Sequence, residues 1–417
     1  MTRRQLSPSD RRHYERNILL FYAFQRACNL ALWSPIWVLY LQRMRGLSLT
    51  QITALDAPFW VIAILAEIPT GTVADRWGRK ASLLAGAATY ALAMLLFGVA
   101  SNYPLLLLSY LAWPVSMALI SGADTAFVYD SLQMLGRESE FKKVIGRSNA
   151  IHSIGFMLGA LIGAPLAAVT DLAFPVLVSG AIAVLGALVA FAFREPRHAD
   201  AAPPRPYLQT MGEALRFSLG RPALRWTLAV RATIMATGLL AIIFRQPFLA
   251  EFELAVSLYG LVTVPISLLS IGAALLAYRL AARLGERTVL YLVGAGCVGA
   301  LFVLGLLPSL VAFSMFAVLA VCQSVTGVIT SDIVNRETPQ PMRATVMSVG
   351  QMGFSIVALA AEPMLGYVAE RGSLDMMFLM AGGGAAVVVG GALVAWTATA
   401  TRTPSPVPSP ALRERGA

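Results

Sequence analysis

The chain has 417 residues, of which 57% are hydrophobic and only 13% are charged, against roughly 25% charged in soluble domains. The formal net charge is +10, but the basic residues form short clusters between apolar runs and make no single patch. A soluble protein could not keep this much apolar surface from water, which excludes a soluble enzyme, a nucleic-acid-binding protein and a disordered chain. The composition indicates a helical membrane protein that crosses the bilayer many times.

Apolar runs between charged or Pro/Gly breaks predict twelve spans, since each crossing needs about 20 residues. In chain order they are 18–41, 50–72, 81–101, 103–131, 148–169 and 174–194, then 223–249, 257–281, 288–307, 310–332, 344–369 and 375–400. The predicted fold is all-α, with one six-helix bundle at 1–194 and a second at 223–400. The Pro-rich tail 401–417 is predicted to be a disordered cytoplasmic segment.

The polar segment 195–222 joins the two predicted bundles as a cytoplasmic linker. Within it, Tyr207 to Gly220 is read either as a short amphipathic helix on the membrane surface or as a loose linker. Most Lys and Arg residues lie in or beside the loops on the side of this linker, and only Arg43, Arg45 and Arg371 lie in loops on the other side. This asymmetry predicts that both termini are cytoplasmic in a cell inner (plasma) membrane.

A charged, glycine-containing loop follows the second span, and its pattern recurs in the second half as Arg283, Gly285 and Arg287. Two related six-span units indicate alternating access around a site between them. The glycines permit a tight turn where two spans approach closely. The members of the loop are Gly71, Asp75, Arg76, Gly78, Arg79 and Lys80.

This loop resembles the signature of the major facilitator superfamily, and its extension back to Glu67, together with 121–132, is similar to the bacterial drug-efflux-like branch. The resemblance implies a secondary transporter that rocks two bundles around a central cavity. It implies a monomer that is not an enzyme and has no cofactor. It also implies that Asp75 latches the halves near the start of the eleventh span, and that Arg76 and Arg79 pair with Asp130. The alternative is that these charges only set the topology.

Polar residues recur at helical spacing in the first, fourth, seventh and tenth spans, which line the central cavity in the resembled family. Arg26 and Arg231 lie about 12 Å inside their spans, and Asp124 about 10 Å, at a rise of 1.5 Å per residue. We therefore expect these three side chains to meet at one level. The other polar cavity candidates are Asn29, Trp33 and Gln323.

Asp124 is the predicted protonatable residue, with Arg26 tuning it and Arg231 holding an anionic substrate or bridging the halves. The alternative is a static ion pair between Arg26 and Asp124 that only fixes helix packing. Glu362 is a further candidate proton carrier, whereas Glu67 is expected to have a local structural role beside the signature loop.

The leading functional prediction is proton-coupled efflux of a small amphipathic compound, since no nucleotide-binding loop or metal cluster is evident and an ion gradient must supply the energy. The alternative is an importer or exporter of an organic anion or metabolite that uses Arg26 and Arg231. The expected partners are a small-molecule substrate and the lipid bilayer, with no nucleic acid.

Overall fold

The computed structural model describes residues 7–196 and 207–400. Within these ranges the chain folds into fifteen α-helices. The first eight are α1 (Pro8–Asn29), α2 (Trp37–Arg43), α3 (Leu49–Trp77), α4 (Arg79–Val99), α5 (Tyr103–Ile120), α6 (Ala123–Leu135), α7 (Phe141–Val169) and α8 (Phe174–Phe191). The others are α9 (Tyr207–Gly220), α10 (Pro222–Glu251), α11 (Tyr259–Leu284), α12 (Glu286–Leu306), α13 (Met315–Glu337), α14 (Arg343–Arg371) and α15 (Leu374–Ala400).

Eleven helical segments of the described chain are long and apolar enough to cross a membrane. They coincide with the second to twelfth predicted spans. Most of their ends lie within five residues of the predicted ones, but the segment for 148–169 begins at Glu138 and that for 50–72 ends at Ala66. The first predicted span, 18–41, does not qualify because it is divided between α1 and the short α2. The predicted tail, 401–417, lies outside the described residues.

The first predicted span is interrupted, since α1 ends at Asn29 and α2 begins only at Trp37. Pro35 accounts for the position of this break: its ring removes a backbone donor and disfavours helical geometry at the preceding residue. The sequence predicted one apolar run here because hydropathy continues across the proline.

The chain between α1 and α2 lies close to α7 at this break. Gly159 lies against the backbone of Ala31, and Gly163 against the carbonyl of Leu32, with no space for a side chain at either glycine. Small residues allow two backbones in a membrane protein to approach in this way. The irregular chain between α1 and α2 is therefore packed against protein, where its backbone polar groups are protected from lipid.

The fourth predicted span, 103–131, is also divided. Its first part is α5, which ends at Ile120, and α6 begins at Ala123. Gly122 lies between them with φ +75°, a conformation that glycine adopts without steric penalty. The break places Asp124 in the first turn of α6.

Two groups of helices build the molecule, which we call the N-terminal bundle (α1 to α8) and the C-terminal bundle (α10 to α15). In the first, α4 packs on α5 and α8; in the second, α10 packs on α13, α14 and α15. The linker contains α9, which covers the predicted amphipathic stretch Tyr207–Gly220 and packs on α10 and α14. The helical interpretation of this stretch is therefore confirmed.

The two sides of the molecule are distinguished by their turns. We call the side with the turns at Gly78 and Gly285 the signature side, and the opposite side, with the turns at Gly46 and Gly372, the far side. The bundles meet mainly along α3 with α14 and along α7 with α11. Gly260 at the start of α11 touches the carbonyl of Ala160, which places the second contact toward the far side.

Candidate functional site

The signature turn joins α3 to α4 through Gly78, which has φ +93°. The carboxylate of Glu195 accepts hydrogen bonds from the backbone N–H groups of Arg79 (2.8 Å) and Lys80 (2.7 Å). It thereby caps the start of α4, where unpaired N–H groups and the helix dipole favour a negative charge. A β-carbon at Gly78 would lie 2.7 Å from this carboxyl group, so the turn requires glycine. Sequence reasoning missed Glu195.

The predicted ion pair between Arg79 and Asp130 is confirmed, with 2.7 Å between Nη1 and Oδ2. It ties the turn to the end of α6. The amino group of Lys80 lies 5.3 Å from the centre of the Phe191 ring. The remaining predicted loop residues belong to α3, and their side chains lie outside the described part of the structure, so their roles remain predictions: Gly71, Asp75, Arg76 and Glu67.

A first cavity of about 470 Å³ lies within the N-terminal bundle. Trp33, Trp113 and Phe156 give it aromatic walls, and Asp124 is its acidic group. Trp33 packs edge-on against Trp113 at 4.8 Å between ring centres. The predicted residues Trp33, Asn29 and Asp124 therefore share one cavity.

Polar partners within the first cavity hold several of these side chains. The amide of Gln25 donates to Asp124 (3.4 Å), and Asn29 donates to the side-chain oxygen of Gln25 (3.0 Å). The indole N–H of Trp33 donates to the hydroxyl of Tyr90 (3.3 Å). A chain of hydrogen bonds thus connects Asn29 to the acidic group.

The structure does not bring the predicted trio together. The guanidinium of Arg231 donates to the carbonyl of Gly327 (3.1 Å) and to the hydroxyls of Thr330 (2.9 Å) and Ser331 (3.0 Å), all in its own bundle. Among the described side chains, no ion pair joins Asp124 to Arg26 or Arg231. Neither the predicted meeting nor the alternative static pair between Arg26 and Asp124 is formed in this structure.

A second cavity of about 390 Å³ lies between the bundles and is lined by α3, α5 and α14, with Met211 of α9 at its edge. It shares Met117 and Ser121 with the first cavity. Both shared residues are exposed, Met117 by 53%. The two cavities therefore adjoin at these exposed residues.

A pair of carboxyl groups lies where α3 meets α14. Glu362 is 1% exposed, and the indole N–H of Trp60 is 3.2 Å from both of its carboxyl oxygens. Asp56, one turn before Trp60, is close enough to interact electrostatically with Glu362. The buried hydroxyl of Tyr110, which also interacts with both acids, has no hydrogen-bond partner among the described residues. Two acidic groups from opposite bundles, the buried Glu362 and the half-buried Asp56, thus lie near this contact.

Gln246 of α10 forms a second polar link between the bundles. Its side-chain oxygen accepts from the backbone N–H groups of Val38 (2.9 Å) and Leu39 (3.2 Å), and its amide donates to the carbonyl of Ser34 (3.1 Å). The start of α2 has no cap of its own, so a side chain of the other bundle satisfies its free donors. Sequence reasoning missed this residue.

Toward the edge of the far side, the backbone N–H of Thr50 donates to the carboxylate of Glu370 (3.1 Å). Thr53, one turn further along α3, touches Gly366 of α14. The hydrogen bonds between bundles, among the described side chains, thus lie toward the far side. The predicted cavity residue Gln323 lies deeper, where its amide donates to the carbonyl of Met235 (3.4 Å) beside Gly238.

Eleven long apolar helical segments in the described chain, packed around adjoining cavities, indicate a multi-pass membrane protein. The sequence model of the Major Facilitator Superfamily matches residues 19–361. The chain therefore belongs to this family, whose members are transporters and not enzymes.

Two bacterial resistance proteins are similar to less than half of the chain. Multidrug resistance protein 1 of Bacillus subtilis is 27% identical over 188 residues, which are 45% of this chain and 47% of the relative. Quinolone resistance protein NorA of Staphylococcus aureus is 26% identical over 168 residues, which are 40% and 42% of the two chains. The matched region thus spans less than half the length of each relative.

A solved structure supports the fold over most of the chain. A mutant form of the nucleoside transporter NupG aligns with a TM-score of 0.77 at 14% identity, covering 91% of this chain and 98% of the other. At this identity the likeness concerns the fold alone.

Proposed function

We propose that the chain is a proton-coupled exporter of small amphipathic compounds, with twelve spans and both termini in the cytoplasm. The observation that carries this proposal is the pair of adjoining cavities, both lined by aromatic side chains. The hydrogen bonds between the bundles lie toward the far side. With the signature side in the cytoplasm, as the distribution of Lys and Arg favours, a compound would enter from the cytoplasm or the inner leaflet. The resistance proteins among the relatives support export.

The aromatic lining favours amphipathic compounds. Trp33, Trp113 and Phe156 offer flat apolar surfaces, and aromatic pairs of this kind contribute about 0.5–1.5 kcal/mol beyond their buried area. Asn149, Ser121 and Asp124 add a few polar groups to the same cavity. A mainly apolar cavity with few polar groups is typical of small-molecule sites.

Proton coupling is assigned to the acidic groups at two places. Asp124 faces the cavity, and Asp56 with Glu362 lies at the contact of α3 and α14. Two like charges near each other repel, and protonation of either one removes that repulsion. Protonation of the pair from the outside would therefore favour closure of the far side, and proton release would favour its opening.

A second candidate function is transport of an organic anion, which the sequence analysis based on Arg26 and Arg231. Arg231 is engaged by three acceptors of its own bundle, so it is not the free cation that this function needs. Anion transport would therefore depend on another basic group.

Everted vesicles with an acidic interior test the proposed function. Addition of an exported compound should release protons from the vesicles, and Glu362→Gln should abolish this release. The matched control is Glu140→Gln, which removes an exposed acid paired with Arg137 outside the cavities. All variants are compared at equal amounts in the membrane.

Two results would count against the proposal. If no compound in a panel of cationic, neutral and anionic amphiphiles releases protons from wild-type vesicles, proton-coupled export is wrong. If release persists in both Glu362→Gln and Asp124→Asn, export remains but the coupling assignment is wrong.

A further inference from the structure

A third cavity, of about 160 Å³, lies between the two bundles toward the far side. Its walls come from α7 and the chain around Trp33 in the N-terminal bundle, and from α10, α11 and α13 in the C-terminal bundle. It contains one ionisable side chain, Arg245, and no Asp or Glu is among its lining residues. The cavity is therefore a positively charged site shared by both bundles.

Arg245 lies six residues from the far end of the apolar helix α10, which is about 9 Å along the helix at 1.5 Å per residue. Its side chain makes no hydrogen bond, ion pair or ring contact with the described residues, in contrast to Arg231 on the same helix. A charged group at this depth is costly, and such groups generally face a partner or a functional cavity. Arg245 lines the cavity and has no partner among the described residues.

The surroundings of Arg245 suit an oxyanion. Gln323 lines the same cavity, and its amide group has two N–H donors, whereas the hydroxyls of Ser267 and Ser270 bond to protein partners. A guanidinium has five N–H donors in a planar fork that matches a carboxylate, and this geometry makes the hydrogen bonds both strong and selective. No acidic side chain is among the described residues that line this cavity, and a carboxylate on a ligand would supply the acceptor that Arg245 lacks there.

The third cavity adjoins the first, because Trp33 and Phe156 line both. A compound with its apolar body against the aromatic walls of the first cavity could therefore extend an acidic group toward Arg245. We propose that the third cavity binds the carboxylate of the transported compound through Arg245, so that the substrate class is an aromatic carboxylic acid. This inference rests on the proposed transport function and narrows its substrate.

The location also gives the anion a role in the transport cycle. A carboxylate bound to Arg245 of the C-terminal bundle would lie beside Trp33 and Phe156 of the N-terminal bundle. Its binding energy then depends on how the bundles are arranged, which is the condition for a ligand to shift a conformational equilibrium. A neutral analogue lacks the charge-assisted part of this energy.

The test compares three probes of one shape: naphthylacetate, its neutral amide, and naphthylmethylamine as the cation. Calorimetry with the purified full-length chain in lipid nanodiscs measures their affinities. Wild type should bind the acid about tenfold or more tightly than the amide, as expected for a charge-assisted hydrogen bond. Arg245→Gln should reduce the affinity for the acid to that for the amide, and Arg245→Lys should retain a preference for the acid.

The matched control is Arg225→Gln, which removes an exposed arginine from the same helix and should leave all affinities unchanged. Equal affinity for acid and amide in wild type, or no binding of the acid, would overturn the proposal without any variant. A preference for the acid that survives Arg245→Gln would overturn it as well, and so would loss of both probes, which would show that Arg245 only supports the fold.

Vesicle transport separates this inference from the proposed function. Arg245-dependent binding of naphthylacetate, without proton-driven transport of any panel compound, would support the site and refute the exporter. Export of amphipathic compounds together with equal affinity for acid and amide would support the exporter and refute the site.

Discussion

Replacing Trp60 with phenylalanine tests whether the contact between α3 and α14 holds the far side closed. The change removes the indole N–H that is shared between the two oxygens of Glu362. It preserves an aromatic ring of similar position, which packs edge-on against Phe59 (4.9 Å) and Phe354 (5.0 Å) in the wild type. The variant therefore isolates the hydrogen bond from most of the packing.

The size of the effect follows from the geometry. One N–H donor shared between two acceptors at 3.2 Å each counts as a single hydrogen bond. Glu362 is 1% exposed, so water does not replace the lost donor while the far side is closed. An orphaned buried acceptor costs about 1–3 kcal/mol, and the shared, longer bond places the expected value near the lower end. We expect the ratio of far-side-open to far-side-closed molecules to rise about tenfold, since 1.4 kcal/mol corresponds to a factor of ten.

Distance measurement between two spin labels on the far side reports this ratio directly. The labels replace Met44 and Arg371, which are exposed on opposite bundles, in a background without the three native cysteines. Trp113→Phe is the control, because its indole N–H donates no hydrogen bond to the described residues although it lies in the same aromatic layer. An unchanged distance distribution in Trp60→Phe, or an equal change in Trp113→Phe, would refute the reasoning.

Three further predictions concern close contacts and caps. Gly163→Ala should lower the free energy of unfolding by about 1–3 kcal/mol, because the new methyl group meets the backbone of Leu32 between α1 and α2. Gly146→Ala, in open space on the same helix, should raise it by about 0.4–1 kcal/mol. Thermal unfolding in detergent compares the two variants. Gln246→Leu removes three hydrogen bonds between the bundles. A single cysteine at Ser34, which is 5% exposed in the cavity between the bundles, should therefore react faster with a membrane-impermeant thiol reagent, and an unchanged rate would contradict the gating role. Glu195→Gln, which weakens the cap of α4, should cost about 0.5–2 kcal/mol in thermal unfolding, whereas a neutral result would show that the charge is unimportant there.

Much of the helical architecture could be predicted from the sequence, because membrane spans depend on a property that is local in the chain. The run 174–194 corresponds to a helix at Phe174–Phe191, and 223–249 to one at Pro222–Glu251. The two interrupted spans could not be located in this way, since hydropathy continues across them. Pro35 and Gly122 are visible in the sequence, but the packing that accommodates the first break comes from α7, more than a hundred residues further along the chain.

The site was predicted less completely, because depth along a helix does not determine which partners compete for a side chain. Arg231 lies on the cavity-lining span that was expected, yet three acceptors on α13 bind its guanidinium. Arg79 and Asp130 pair as predicted because a known motif fixes both the turn and its partner. Gln246 was missed since its partners are more than two hundred residues away in the chain.

The polar contacts on the far side have the size that a reversible gate requires. Trp60 with Glu362, Gln246 with the start of α2, and Thr50 with Glu370 provide a few hydrogen bonds, each with a net contribution of about 0.5–1.5 kcal/mol. A proton that crosses 100 mV releases about 2.3 kcal/mol, and a ligand shifts a conformational equilibrium only by its difference in affinity for the two states. Contacts of this strength hold the far side closed while the carboxyl pair keeps its proton, and loss of that proton or binding of one anion at Arg245 carries enough energy to change the balance. A gate formed by apolar packing alone would have no group that a proton or an anion could bind. This explains why buried charged and amide side chains are found where the bundles meet.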